Sequence, residues 1–412
     1  MGTFSQQKNK KHFILGLLFA GWLLSYLDRM VMGVAVVAIS QDFQLDPASI
    51  GVVLSSFFAG YALMQIPGGW LSDKYGSRRI VIFSIIAWSI FTVLSGLAWS
   101  LTSLLIIRFL FGLGEGGYPS ASQKAIAEFY SKKERAKASS FMMSSNSFGI
   151  ALAPLIAAPM LVWLGWRWMF VAIGAAGLIM GVLFWKHLHP PKKSEWDDSE
   201  RVSKTKVPLK TLLKSPSLWK IMIMWFGADI VVWGLAGWMP SYLIKERGMG
   251  ILSTGVLASL PAIASGLTVM FGGVLLEKFF SGREKYFTGV GMILTSICLY
   301  FIFASSSVVG VITFYILSMT FVSTAIITTY SLPHKLLSKE IIGSAMGFIN
   351  MGGQAAGFLA PLVMGFLISG FGTYNAAFWF LIAGAVVSVI AAFTIANNEK
   401  KFNTESSKAA GQ

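Results

Sequence analysis

Cysteine, histidine and charged residues are all scarce in this sequence. Its 412 residues include one cysteine and four histidines, and only 12% of them are Asp, Glu, Lys or Arg. The single Cys298 excludes a framework of intrachain disulfides. The histidines show none of the spacings of a metal site and no cofactor-binding loop is recognisable, so we expect neither a metal nor a cofactor.

Long apolar runs, by contrast, fill most of the chain. Hydrophobic residues make up 55% of it and the mean hydropathy is +0.67, outside the usual range of soluble proteins. A helix needs about 20 apolar residues to cross the hydrocarbon core of a bilayer. Twelve such runs predict an all-α membrane protein with twelve transmembrane helices in the lipid bilayer. They cover residues 13–39, 49–70, 80–99, 101–122, 139–163, 168–188, 219–243, 253–275, 286–306, 308–331, 343–367 and 374–396.

The basic residues are distributed unevenly among the segments that connect these runs. With both termini in the cytoplasm, the tails and the even-numbered loops hold 26 of the 33 lysines and arginines, and Lys186 and Lys220 lie near the cytoplasmic ends of their spans. Such a bias is the positive-inside pattern of membrane proteins. The formal net charge of +15 therefore reports the orientation of the chain and implies no nucleic-acid partner.

The chain reads as two halves that share one pattern. A polar stretch from His189 to Lys210 divides the runs six and six, and GGWLSDKYGSRR from Gly68 is echoed by GGVLLEKFFSGREK from Gly272. We interpret this as a tandem duplication of a six-helix unit, in which the solute site usually lies near the bilayer midplane at the repeat interface. The predicted parts are a cytoplasmic tail at 1–12, a bundle at 13–188, a cytoplasmic linker at 189–218, a second bundle at 219–396 and a cytoplasmic tail at 397–412.

The motifs of the first half resemble those of a known transporter family. A six-plus-six helical protein with a GGWLSDKYGSRR loop after its second helix is similar to the major facilitator superfamily. Within that superfamily, YLDR at 26–29 with Arg108 and Glu115 resembles the anion:cation symporter family. That family includes bacterial galactonate, glucarate and hexuronate transporters, sialin and the vesicular glutamate transporters. Its pattern has a proline five residues after the glutamate, whereas EGGYP places Pro119 four residues after it.

Five charged residues lie deep within the predicted spans, near the bilayer centre, where each costs at least about 2.5 kcal/mol. They are Asp28, Arg29, Arg108, Glu115 and Asp229. One interpretation is that they form structural ion pairs between the first and fourth helices. A purely structural pair can be replaced by apolar packing at little loss, so four such residues on two helices favour a function.

Helical spacing separates the roles of the residues in the first helix. Tyr26 and Arg29 are three apart and share a face, while Asp28 is turned about 100° away. A guanidinium grips a carboxylate through two parallel hydrogen bonds, so we expect Arg29, with Tyr26 beside it, to bind the carboxylate of a solute. The family resemblance implies the same role. Asp28 is expected at the contact with the fourth helix, near Arg108.

Asp28 and Glu115 are the expected proton carriers, with Arg108 as their partner. Burial raises the pKa of a carboxyl group, whereas a nearby arginine lowers it. If a solute anion competes for an arginine, the carboxylate that it displaces takes up a proton. Solute and proton movement would then be coupled.

Uncharged polar residues of the spans are candidates either for binding solute hydroxyls or for interhelical hydrogen bonds. These residues are Asn146, Ser323, Thr324, Asn350 and Gln354. Tyr61 matches a tyrosine that the resembled sugar-acid carriers use, although tyrosine also anchors helices. Asp229 fits none of these roles: a third titratable site, a selectivity element and a neutral side chain all stay open.

The loop after the second helix has two possible roles. Its charges orient the chain in the membrane. The superfamily resemblance implies a second role, in which Asp73 meets a helix end or a basic partner across the seam between the halves and stabilises the outward-facing state. The charged residues of this loop are Asp73, Lys74, Arg78 and Arg79.

These observations predict a proton-coupled importer of a small organic anion. The expected solute is a sugar acid such as an aldonate, hexuronate or aldarate, moved by alternating access through a monomer in the cell membrane. An antiporter or efflux transporter is the main alternative, and a membrane sensor without transport is another. An enzyme is disfavoured because no pairing of a nucleophile with a base is visible.

Overall fold

The computed structural model describes residues 2–189, 215–336 and 342–395, and the regular structure within these ranges is entirely helical. The predicted tail at 397–412 and residues 190–214 of the predicted linker lie outside the described residues. The helices are α1 (Gly2–Asp42), α2 (Pro47–Tyr75), α3 (Ser77–Gly96), α4 (Leu101–Glu115), α5 (Tyr118–Phe129), α6 (Lys132–His187), α7 (Pro216–Lys245), α8 (Ile251–Phe280), α9 (Glu284–Ala304), α10 (Val308–Leu336), α11 (Ile342–Phe371) and α12 (Asn375–Thr394).

Ten helices of the described ranges are long and apolar enough to cross a membrane. They are all the helices except α4 and α5, which have 15 and 12 residues. A single helix over 101–122 was therefore the wrong expectation. The chain turns at Gly116 and Gly117, and Pro119 lies in the first turn of α5, where the missing N–H of proline costs no helical hydrogen bond.

The apolar runs at 139–163 and 168–188 belong to two consecutive helical segments, which together make up the 56 residues of α6. It is interrupted at Gly165, whose φ of 74° falls in the left-handed region that glycine enters without a steric penalty. Arg167 Nη1 lies 2.5 Å from Asp42 Oδ2, and Trp166 Nε1 donates to the same oxygen at 2.9 Å. The end of α1 is thus joined to the middle of α6 beside this interruption.

The described residues divide into two compact units. Unit 1 holds residues 2–45, 52–189 and 250–259, and unit 2 holds 46–51, 215–249, 260–336 and 342–395. In unit 1, α6 packs along α1 and α3, and α3 also packs on α4. In unit 2, α7 packs on α11 and α12, and α9 packs on α10 and α12. The domain boundaries given above stay predictions, because the linker between them is mostly outside the described residues.

Hydrogen bonds outside the apolar spans hold the start of α1 against the start of α6. Lys11 Nζ lies 2.8 Å from Glu134 Oε1, and the Tyr130 hydroxyl donates to the carbonyl of Lys11 at 2.9 Å. The bond from Lys11, together with one from Ser131, holds the pKa of Glu134 below its usual value. These contacts belong to unit 1.

Candidate functional site

An arginine and a glutamate form a buried salt bridge inside unit 1. Arg29 Nη2 of α1 lies 2.7 Å from Glu115 Oε1 at the end of α4, and the two residues are only 5% and 1% exposed. Ser25, one turn before Arg29, donates its hydroxyl to the same oxygen at 2.5 Å. The other oxygen of Glu115 is buried without a hydrogen-bond partner among the described residues. One carboxylate oxygen of Glu115 therefore accepts two hydrogen bonds, while the other could still accept one.

Three aromatic rings surround the guanidinium of Arg29. Its central carbon lies 4.7 Å from the ring centre of Tyr26, 4.8 Å from that of Phe57 and 4.7 Å from that of Tyr61. Tyr26 precedes Arg29 by three residues on α1, while Phe57 and Tyr61 are one turn apart on α2, so helical spacing presents all three rings. Cation–π attraction is strongest where water is excluded, as it is here. The cage fixes the plane of the guanidinium, and Phe57 is a member that sequence reasoning missed.

Asp28 points away from this cage, as its position on the helix predicts. It accepts a hydrogen bond from the Thr92 hydroxyl of α3, and both residues are buried. The sequence argument placed Asp28 against the fourth helix and overlooked α3. Asp28 is nevertheless close enough to Arg108 for an electrostatic interaction. Its second oxygen, Oδ1, is buried with no hydrogen-bond partner in the described part of the chain.

Arg108 is the second buried arginine of unit 1, with 2% of its surface exposed. Its Nε and Nη1 are buried and find no hydrogen-bond acceptor among the described residues. The guanidinium lies 4.6 Å from the ring centre of Phe111 and 5.8 Å from that of Phe57. A buried donor without an acceptor is costly, so Arg108 is held by its charge interactions with Asp28 and Glu115. The four charged side chains thus form one connected group.

Glycines bring α4 close enough to α2 to complete the site. A Cβ on Gly112 would lie 2.1 Å from the carbonyl oxygen of Phe57, and one on Gly116 would lie 2.7 Å from that of Tyr61. Real Cβ atoms do not approach backbone oxygens this closely, so only glycine fits at both positions. The spacing of these two glycines predicts this close approach. It places the Glu115 end of α4 beside the ring-bearing face of α2.

The charged loop after α2 makes its described contacts within unit 1. Lys124 Nζ of α5 lies 3.5 Å from Asp73 Oδ1 and donates to the carbonyl of Ser72 at 2.8 Å. Arg78 donates to the carbonyl of Trp185 at 2.8 Å. Lys74 lies over the rings of Trp70 and Tyr75, and Arg79 is exposed. The latch between the halves stays a prediction, and Lys124 is a partner that the sequence did not reveal.

The uncharged candidates for binding solute hydroxyls differ in whether their polar atoms already have hydrogen-bond partners. Ser323 shares a hydrogen bond of 2.7 Å with Ser265 and donates to its own helix, and Thr324 donates to the carbonyl of Phe321. Asn146 Oδ1 and Gln354 Oε1 are buried acceptors without a partner among the described residues. Asn350, one turn before Gln354 on α11, is partly buried. The two orphan oxygens are the better candidates for contact with a ligand.

The arrangement in unit 1 can exchange one anion for another. A guanidinium has five N–H donors in a plane and binds carboxylates with two parallel hydrogen bonds. The buried Glu115 engages Arg29 through a single nitrogen and a single oxygen. An external carboxylate reaching the same guanidinium would compete with Glu115, and the displaced side chain would lose the charge that stabilises its ionised form.

Comparison with known proteins places the chain in a family. Residues 18–361 match the Major Facilitator Superfamily. The chain belongs to this superfamily. It is accordingly a multi-pass protein of the cell membrane and a transporter, not an enzyme. Membership confirms the superfamily that the charged loop and the twelve apolar runs resemble.

Several members of the Major Facilitator Superfamily match almost the whole chain. It is 27% identical over 445 aligned positions to the probable galactarate/D-glucarate transporter GarP of Escherichia coli K12, covering 98% of this chain and 99% of that protein. It is 29% identical to the probable sulfoacetate transporter SauU of Cupriavidus necator, covering 93% of each. It is 28% identical to the hexuronate transporter of Bacillus subtilis, covering 92% of each.

A solved structure has a similar fold. It is a bacterial homolog of the human lysosomal transporter Spinster in an inward-facing and unoccupied conformation. The TM-score is 0.82 over 98% of each chain, at 20% sequence identity. This likeness supports the all-helical superfamily fold and carries no statement about the solute.

Proposed function

We propose that this protein is a proton-coupled symporter that imports a sugar acid. Aldonates, hexuronates and aldarates are the expected solutes, because the relatives named above include transporters of galactarate, D-glucarate and hexuronate. The observation that carries the proposal is the buried ion pair between Arg29 and Glu115 inside a cage of aromatic rings. Among the described cations, Arg29 is the one that contacts all three rings, and a guanidinium suits a carboxylate.

In the proposed mechanism the solute carboxylate takes the place of Glu115 on Arg29. The displaced Glu115 then lies buried without its cation, and binding a proton removes the charge that burial disfavours. Loss of the proton on the other side of the membrane restores the ion pair and expels the solute. Asp28 and Arg108 provide a second acid and cation for the same exchange. Tyr26 and Tyr61 orient the solute, and Asn146, Ser323, Thr324, Asn350 and Gln354 are proposed to bind its hydroxyls.

The proposed topology has twelve spans with both termini in the cytoplasm and alternating access by the monomer. In support, α6 is long enough for two spans, one on each side of Gly165. The pair of α4 and α5 supplies one more span. With the nine remaining long helices this makes twelve. The basic residues favour the cytoplasmic side for the loops that hold them. In this topology Asp73, Lys74, Arg78 and Arg79 form a cytoplasmic loop that governs the conformational change.

The coupling role of Glu115 is tested by Glu115→Gln, which keeps the shape of the side chain and removes its titration. In proteoliposomes with an inward proton gradient, we expect the variant to lose uphill uptake of a labelled sugar acid while it retains solute exchange at equal pH. Glu134→Gln is the matched control, because Glu134 is an exposed acid of the same unit. It should accumulate solute like the wild type.

Three results would contradict the proposal in different ways. Unchanged uphill uptake by Glu115→Gln would remove this residue from proton coupling. Absence of wild-type uptake across a panel of aldonates, hexuronates, aldarates and sulfoacetate would contradict the solute class. Proton movement opposite to the solute would identify an antiporter instead.

A further inference from the structure

The hydroxyl group of Thr92 in α3 lies within hydrogen-bond distance of two oxygen atoms. One is Oδ2 of Asp28 on α1, and the other is the backbone carbonyl oxygen of Trp88, one turn earlier on α3 and 3.0 Å from Thr92 Oγ1. Both Thr92 and Asp28 are buried. A threonine hydroxyl has one hydrogen and two lone pairs, so it can donate to only one of these oxygens at a time.

The two oxygens differ in how much they depend on this hydroxyl. The Trp88 carbonyl lies within α3, where the helix pattern also brings the backbone N–H of Thr92 to it, so it is satisfied without the hydroxyl. Among the described residues, Asp28 Oδ2 has no hydrogen-bond donor other than Thr92, and Oδ1 has none. The hydrogen of Thr92 is therefore free to serve either oxygen.

A hydroxyl differs in kind from the partner of the other buried aspartate. Asp229 of α7 in unit 2 is hydrogen-bonded to the side chain of Trp233, whose indole N–H can only donate. The hydroxyl of Thr92 can donate and can also accept. It therefore suits both the ionised and the protonated form of an acid.

The backbone of α3 is held tightly in the turn before Thr92. A Cβ on Gly174 of α6 would be 2.7 Å from the carbonyl oxygen of Ser89, and one on Gly114 of α4 would be 3.0 Å from the backbone nitrogen of Trp88. The backbones of α4 and α6 therefore pack directly against α3. Turning one hydroxyl hydrogen disturbs such packing less than moving the helix does.

The charged groups that act on Asp28 come from α4. They are Arg108, whose charge is opposite to that of a carboxylate, and Glu115, whose charge is the same. Arg29, the next residue in α1, pairs with Glu115 instead. The helix α6 packs on both α1 and α3, and its residues 138–166 include no charged residue. Thr92 is therefore the uncharged group that contacts Asp28 directly.

We propose that Thr92 is a positioning residue that keeps Asp28 hydrogen-bonded in both of its protonation states. When Asp28 is ionised, the Thr92 hydroxyl donates to Oδ2. When Oδ2 carries a proton, it donates to Thr92 Oγ1, and the hydrogen of Thr92 turns to the Trp88 carbonyl. Neither state leaves Oδ2 unsatisfied, and no heavy atom has to move. This inference rests on the proposed function, in which Asp28 exchanges a proton during transport.

The test is Thr92→Val, which keeps the shape of the side chain and removes the hydroxyl. The ionised form of Asp28 then loses more than the protonated form, because hydrogen bonds to charged groups are stronger. Asp28 should keep its proton, and accumulation of D-galactonate in proteoliposomes should fall about tenfold for each pH unit of the gradient, the share of one proton. Solute exchange at equal pH should stay within threefold of the wild type, and Thr92→Ser should restore accumulation.

Thr295→Val is the matched control. Thr295 of α9 is buried like Thr92 and donates to the carbonyl of Gly291, one turn earlier, at 2.9 Å. Among the described residues, no acid shares its hydroxyl. This variant loses the same bond within a helix and should accumulate solute like the wild type.

Infrared titration of the purified protein tests the inference without transport. The carboxyl band that disappears in Asp28→Asn reports the proton on Asp28. Its midpoint should move to higher pH in Thr92→Val, by about one pH unit or more, and stay in place in Thr92→Ser and Thr295→Val.

Each alternative result is decisive. Unchanged accumulation in Thr92→Val, loss of accumulation in Thr92→Ser or an infrared midpoint that does not move overturns the inference. Equal losses of accumulation and of exchange in Thr92→Val also overturn it, because they indicate a purely structural role. If the wild type accumulates no sugar acid, the proposed function itself fails, while the infrared comparison still decides the role of Thr92.

Discussion

Arg29 is buried and makes two kinds of contact, a salt bridge and contacts with aromatic rings. Both depend on the shape of its side chain. The guanidinium pairs with Glu115, lies among the rings of Tyr26, Phe57 and Tyr61, and is almost fully removed from water. A lysine ammonium carries the same charge but cannot stack on rings or offer two parallel donors. A positive charge is therefore not sufficient at position 29, where the planar guanidinium group is also needed.

Arg29→Lys is expected to weaken solute binding at least tenfold even though it preserves the charge. Lysine can make a single hydrogen bond to a carboxylate where arginine makes two. The measurement is the affinity for D-galactonate of the purified protein, by calorimetry or thermal shift. Arg167→Lys serves as the control, because Arg167 is about half exposed and pairs with Asp42 outside the site. Equal affinities in the two variants would contradict the binding role of Arg29.

At this scale the sequence predicts which charged residues lie together better than it predicts their other contacts. Helical spacing correctly separates Arg29 from Asp28, because the 100° turn per residue is a property of any helix. The hydrogen bond from Thr92 to Asp28 depends on how α3 packs against α1, and nothing in the local sequence encodes that contact. The same holds for Phe57, an apolar side chain that looks like ordinary packing until its neighbour is known.

Among the helices, α4 departs furthest from the sequence pattern. Its apolar run continues to residue 122, yet the helix ends at Glu115 because two glycines and Pro119 allow a turn and a new start. The other runs lie within or close to helices of the structure; for example, the run at 219–243 lies inside α7. Hydrophobic length predicts that a helix exists, but the ends of helices depend on glycine, proline and caps.

Gly112→Ala is expected to destabilise the protein through the contact between α2 and α4. The added methyl group would meet the backbone of Phe57, so the helices must separate, and overpacking of this kind costs about 1 to 3 kcal/mol. The thermal unfolding midpoint of the purified protein should fall by several degrees. Gly16→Ala is the matched control in α1, where a Cβ meets no atom within 4 Å. Equal midpoints for the two variants would show that α2 and α4 tolerate separation.

Two contacts among the described residues recur at about the spacing of the repeated motifs, as the predicted duplication implies. Ser77, at the start of α3, donates to Glu128 of α5, and Lys335 of α10 pairs with Glu284, at the start of α9. Both pairs are 51 residues apart, and the second lies 207 positions after the first. The residue types changed while the contact was kept. Motif echoes in the sequence predict this equivalence, although the exchange of a hydroxyl–acid pair for an acid–lysine pair was not predictable.

The number of protons per cycle is a property of the whole molecule. Asp28 and Glu115 each have one buried oxygen without a hydrogen-bond partner among the described residues, so each has a place for a proton. Two protons with one monoanion carry one positive charge inward, which gains roughly 2.3 kcal/mol per 100 mV, or about fiftyfold in accumulation. An inside-negative potassium diffusion potential in proteoliposomes should therefore increase the accumulation of D-galactonate. Vesicles without the ionophore are the control, and indifference to the potential would indicate one proton.

The salt bridge between Arg29 and Glu115 also matters for the step of an alternating-access cycle in which the protein returns without bound solute. A lone guanidinium in the low-dielectric interior would oppose any rearrangement that kept it away from water. In the proposed mechanism, Glu115 would balance the charge of Arg29 whenever no solute is bound, so the empty protein would remain locally neutral there. Resetting then requires no foreign counter-ion. In that mechanism, the residue that the solute displaces would also be the residue that allows the empty transporter to return.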